Sequence, residues 1–237
     1  MRTRRTVIGT GACGLALALG TIASARADDA TGPYPSMSPV AQYRAAGAAE
    51  EIALARSAAP SSISGDASVL TLGDHGYDNA LKGKNGFVCL VQRSWATDFA
   101  DAGFWNPKLR APVCFNAAAA RSVLPAYLER TKWALAGDSK ADMLKRARAQ
   151  LAAHHIAAPE SGAMAYMMSK QQYLGDGPGH WHSHLMFFYA RTNAGDWGAG
   201  LHSSPVFAAT TDPEPITTFF VLVPAWSDGT AAVTETH

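Results

Sequence analysis

Apolar positions follow two rhythms along this chain. Ser38-Pro39 supplies an N-cap residue and a proline at the first helical position, and the alanine-rich stretch that follows predicts a helix to about Ser57 with Glu50 and Glu51 exposed. Ala67 to Leu72 and Phe87 to Arg93 are β-branched and aromatic blocks that predict strands, with a polar loop over residues 73–79 and a turn at Asn85-Gly86 between them. Residues 98–112 have no period. Asn116 caps a second helical stretch, kinked or restarted at Pro125, with Leu124, Leu128 and Leu135 near one face. Ser139 and Asp142 form a capping pair for a third helix that buries Met143, Leu144, Ala147 and Leu151.

After Pro159 the rhythm changes. Ala163 to Tyr173, Trp181 to Ala190, Pro205 to Thr210 and Thr217 to Val223 predict strands, each join marked by Gly, Asp, Asn or Pro. Gly175 to Gly179 reads as the turn of an antiparallel hairpin joining the first two. Helices mostly first and strands mostly later, without regular alternation, predict an α+β fold: a single domain over 38–237, its N-terminal and central helices packed on a mainly antiparallel sheet.

Composition sets the class. With 48% apolar and 16% charged residues, the chain is globular rather than disordered. Residues 1–27 hold four of the 20 basic residues and no acid, which leaves 16 basic and 19 acidic residues in the remainder. That balance, near −3, excludes the basic footprint of a nucleic-acid binder.

Residues 1–27 read as an export signal: Arg2, Arg4 and Arg5, an apolar middle from Val7 to Ile22, and the cleavage pattern Ala25-Arg26-Ala27. Thr3 to Ile8 resembles a twin-arginine signal that lacks the usual Phe and trailing Lys, so both the twin-arginine and the general secretory route stay open. The mature chain, beginning at Asp28 with a polar, disordered lead-in over 28–37, is expected to be periplasmic or secreted and to carry no membrane anchor. Two cysteines remain in it, Cys89 and Cys114. In an oxidising compartment they most simply form one disulfide, worth about 3 kcal/mol in the chain-entropy model. A thiolate site and two buried thiols are the alternatives.

One stretch suggests chemistry. In GDGPGHWHSHLMFFY, from Gly175 to Tyr189, a glycine-rich turn releases into His180, His182 and His184. On a strand, alternate residues share a face, so the three imidazoles are expected on one side, a candidate site for a transition metal such as Zn, Cu or Fe. A flat strand spreads residues i to i+4 over about 13 Å, so one ion takes two of the three unless the chain bends at His180. The His-x-His spacing resembles that of cupin barrels over this single strand. Those sheets place a glutamate four or five residues after the second histidine. Here Met186 and Phe187 follow His182 at that distance, Phe188 and Tyr189 follow His184, and no function is carried over.

Further ligand candidates are His75 with Asp74 and Asp78, Glu160, Gln171 and His202. His154 and His155 close a helix, where a cation is favourable. Lys170 reads as part of a solvated face. Two functions remain: a metal centre acting on or binding a small molecule, and a non-catalytic binding or structural module in which the histidines are incidental. The sequence sets neither the ligand nor the oligomeric state.

Overall fold

The computed structural model describes residues 32–232; the expected export signal lies outside them. The fold is α+β, as the rhythms predict. One eight-stranded sheet has the order β2-β1-β3-β4-β5-β6-β8-β7. Its strands are β1 (Ser68–Leu72), β2 (Tyr77–Leu81), β3 (Val88–Gln92), β4 (Ala111–Phe115), β5 (Met164–Met167), β6 (His184–Ala190), β7 (Val206–Thr211) and β8 (Ile216–Leu222). Only β1 and β3 run parallel among the described strands; every other pair is antiparallel. No helix among the described residues is long and apolar enough to cross a membrane.

The expected first helix is two pieces. A 3-10 turn, Val40–Tyr43, precedes α1 (Ala48–Arg56), and Gly47 stands between them in extended backbone as the N-cap of α1. Residues 32–37, expected as a loose lead-in, place Tyr34 and Met37 against the aromatic cluster of Tyr43, Trp95, Phe104 and Trp133. A short helix, α2 (Ser61–Ser64), follows. The second expected helix divides at Val123 into α3 (Ala117–Ser122) and α4 (Leu124–Leu135), because Pro125 in the first turn of α4 cannot continue α3. In α5 (Lys140–Ala152), the Ser139 hydroxyl accepts from Asp142 N as the capping pair implies.

Two layers cover opposite faces of the sheet. Helix α1 packs its small residues on Val69, Cys89, Val91 and Cys114. Helices α3 and α4 cover the other face, where Leu90, Val113, Phe115, Ala165, Met186 and Phe188 form the main core. Cys89 and Cys114 are bonded directly across β3 and β4, both fully buried. Their Cα atoms are 4.0 Å apart, the narrow pairing in which opposed residues exchange no backbone hydrogen bond. Val91–Pro112, two residues along, is a pair of the same kind, so β3 does not require the N–H that Pro112 lacks. The Pro112 nitrogen faces the β5 side instead, where β5 pairs only with Cys114 and Phe115, so the proline leaves no ladder bond unmade, and residues 111–115, expected to be irregular up to Pro112, form β4.

Candidate functional site

The three histidines do not share a strand face. The strand begins only at His184, because β5 ends at its partner Met167 and Met168 N donates instead to Ala58 O at 2.9 Å. Upstream of His184 the chain has lost that neighbour, while on its other side Ser183 O still accepts from Val223 N at 2.9 Å. The Gln172 side-chain amide then holds it, donating to Trp181 O at 2.6 Å and to His182 O at 3.4 Å. His180 is exposed, His182 half-buried and His184 1% exposed. Among the described residues no group of three or more His, Cys, Asp or Glu side chains is placed to hold a metal ion.

The other ligand candidates are dispersed. His75 and His202 are exposed; Asp74 pairs with Arg44; Glu160 pairs with Arg121 at 2.6 Å. Lys170 meets Asp228 at 2.9 Å with both side chains about half exposed, as a solvated face implies. Gly175–Gly179 closes a loop rather than a tight hairpin turn: β5 and β6 are sheet neighbours, but residues 168–183 intervene. Asp176 in that loop accepts from the Tyr173 and Tyr34 hydroxyls, which hold its carboxyl down at about 2.

His184 has a structural role. Its Nδ1 lies 2.7 Å from His182 O, and since a carbonyl only accepts, Nδ1 carries the hydrogen. Trp181 packs on its ring at 4.5 Å between centroids, and Phe220 at 5.7 Å. Burial lowers its pKa from 6.5 to about 4. The folded protein thus binds fewer protons here than the unfolded chain between those values, and stability falls as pH drops through that window. A fall of about 2 kcal/mol is expected between pH 7 and pH 5. Urea unfolding of wild type and His184→Phe at both values checks it: the variant should lose most of this pH dependence, and an unchanged dependence would assign it to other groups.

The concave site lies beside His184 and its aromatic neighbours, on the same sheet face. Alternation along β6 and the registers Met186↔Phe220, Phe188↔Thr218 and Ala190↔Ile216 place Met186, Phe188, Ile216, Thr218 and Phe220 together. With Phe115 they floor a cavity of about 210 Å³, roofed by Val123, Ala126, Tyr127 and Arg130. Phe220 serves both places, lining the cavity and packing on Trp181 at 5.7 Å. By the register Phe207↔Phe220 and Ala209↔Thr218, the edge strand β7 turns Phe207 and Ala209 to this face, and both are exposed. The face is therefore uncovered over β7.

One end of the cavity is charged but internally neutralised. Arg130 Nη2 donates to both Glu214 oxygens at 2.7 Å, Nε donates to Oε1 at 3.1 Å, and Nη1 donates to Thr97 O at 3.0 Å. The pair is buried, with side-chain exposures of 4% and 8%. Two other recesses exist. One, about 280 Å³, is bordered by Arg44, Glu51, Asp74 and Asp78; the other, about 410 Å³, lies between residues 36–40 and the α4–α5 junction. Neither combines an apolar sheet floor with a few polar groups, the usual make-up of a small-molecule site.

These residues escape a reading by periodicity. Arg130 sits on the buried stripe of α4 with Tyr127, Thr131 and Ala134, at i, i+3, i+4 and i+7 from Tyr127. An arginine on an apolar stripe is the signal that could have marked it. The expected Leu124–Leu128–Leu135 face is only partly right, since Leu128 and Leu135 are half-buried. Compared with protein-family models, curated proteins and solved structures, the chain matches none.

Proposed function

We propose that the chain is an exported, non-catalytic module that binds a small, uncharged, mainly apolar molecule between the α3–α4 segment and the sheet. The observation that carries this reading is the cavity floored by Phe115, Met186, Phe188 and Phe220. Its volume suits a one-ring ligand, since an apolar cavity of about 150 Å³ takes up benzene. Export is supported by the arginine-led segment over residues 1–27 and agrees with the buried Cys89–Cys114 disulfide. A metal-dependent reading would rest on His182 and His184 with no third His, Cys, Asp or Glu joining them among the described residues.

Ala126 lines the roof of the cavity and is half-buried, so a larger side chain there fills the space from the helix. Toluene should raise the Tm of wild type and of His182→Ala in a saturable manner, as a ligand selective for the native state does. Ala126→Phe should show little or no rise. An equal response in all three proteins would remove the cavity as the site. Untagged protein carrying about one equivalent of a transition metal, lost in His182→Ala, would instead favour the metal-dependent reading.

A further inference from the structure

We infer that the ligand of this cavity carries a neutral hydrogen-bonding group, a hydroxyl or an amide, which Thr218 receives. This rests on the cavity reading above and adds the chemical class.

Thr218 is 8% exposed and lines the cavity from β8, the middle strand of β6-β8-β7. Its neighbours across the ladder are Phe188 and Ala209, and Ile216 and Phe220 flank it on the same face. Its hydroxyl makes no side-chain hydrogen bond among the described residues. By contrast Thr217, one residue back on the opposite face, engages both the N–H and the carbonyl of Thr192. Valine has nearly the same shape and suits a strand as well, so a threonine here keeps at the cavity wall a hydroxyl that no protein group engages and that an entering molecule can bond. Gln92, at the end of β3, is half-buried, lines the same cavity, and its amide also makes no side-chain hydrogen bond among the described residues. These two groups are the neutral polar side chains at the cavity, besides Thr211 at its rim, that are not already committed; Tyr127 Oη accepts from Arg93 N at 3.1 Å.

The charged groups argue against an ionised ligand. Arg130 directs its guanidinium to Glu214 and to Thr97 O, and each Glu214 carboxylate oxygen accepts from it. A carboxylate entering the cavity would lose its hydration and meet no uncommitted cation; an ammonium would meet no uncommitted anion. A neutral molecule with an apolar ring against Phe115, Met186 and Phe188 and one hydroxyl or amide towards Thr218 gives that hydroxyl a partner and strands no charge.

Three para-substituted toluenes test this: p-xylene and p-cresol, which have nearly one shape, and the somewhat larger anion 4-methylbenzoate, titrated into the full mature protein at pH 7 and followed by NMR. In wild type p-cresol and p-xylene should both bind, and 4-methylbenzoate should bind at least tenfold more weakly than p-cresol. Thr218→Val, which preserves shape and strand preference, should weaken p-cresol about tenfold while leaving p-xylene within twofold, the size expected for one lost hydrogen bond. Thr218→Ala, which also removes the hydroxyl, should act in the same direction, so the inference does not depend on one variant folding. If p-xylene and p-cresol bind but neither variant changes their ratio by more than twofold, the polar assignment is overturned while the cavity reading stands. Binding of 4-methylbenzoate as tight as p-cresol would overturn the neutral class. If none of the three binds wild type, the cavity reading fails and this inference with it.

Discussion

Arg130→Met is expected to destabilise the protein by about 3–5 kcal/mol, the usual consequence of stranding a buried charge. The carboxylate of Glu214, with a side chain 8% exposed, would lose all three of its bonds from the guanidinium. The Thr97 carbonyl would lose its donor and Phe99 the cation 4.2 Å from its ring centroid. For a body of this size the loss corresponds to a fall in Tm of about 10 °C. The double variant Arg130→Met/Glu214→Leu removes both charges and should recover most of the loss, to within about 1–2 kcal/mol of wild type, because a buried ion pair is worth little beyond its apolar equivalent. Denaturant unfolding of the two single variants and the double decides it. A single variant no worse than the double would mean that the Glu214 carboxylate finds water or another partner when Arg130 is gone.

A loss of similar size is expected for Glu51→Gln, on the other side of the molecule. Arg93 is fully buried, and its Nη2 donates to Glu51 Oε1 at 2.8 Å and Oε2 at 2.7 Å. Its Nε donates to Tyr43 O at 2.6 Å and its Nη1 to the Val91 carbonyl. Glu51 Oε1 also accepts from Leu72 N at 3.3 Å. One ion pair therefore joins the 3-10 turn, α1, β1 and β3. Glu51→Gln keeps the shape but leaves Arg93 without a counter-charge, at a cost of about 3–5 kcal/mol. Arg93→Lys should recover little, since a single ammonium cannot serve Glu51, Tyr43 and Val91 together. Native-state hydrogen exchange should show protection falling first in Ala48–Arg56 and later, or not at all, in Ile216–Leu222. Uniform loss across both would mean that the network is not specific to the α1 side.

What was legible in the sequence is what local order writes there. Phe87–Arg93, Trp181–Ala190 and Thr217–Val223 are dense in β-branched and aromatic residues and contain β3, β6 and β8. The disulfide followed from two cysteines in a chain expected to be exported. The edge strand β2, with Asp78, Asn79 and Ala80 exposed, carries no apolar face and reads as loop. Glu51 was expected to be exposed because its helix is short, alanine-rich and weakly patterned. Its burial at 4% is decided by Arg93, 42 residues away, and no local window contains both. The same holds for Arg130 and Glu214, 84 residues apart. The histidine triplet shows the opposite failure. Its alternation is real in the sequence, but it extends past the end of β5, where the sheet no longer holds the strand, so only His184 lies in it.

If the cavity over β6 and β8 is the binding site, methionine labelling shows it without any substitution. Met186 lines that cavity, Met143 is buried in a different cluster, and Met37 borders the recess beneath residues 36–40. In protein labelled with ¹³C on its methionine methyl groups, toluene should move the Met186 signal saturably and leave Met143 and Met37 in place. A stationary Met186 at toluene saturation, or a shift confined to Met37, would mean that toluene does not bind over β6 and β8.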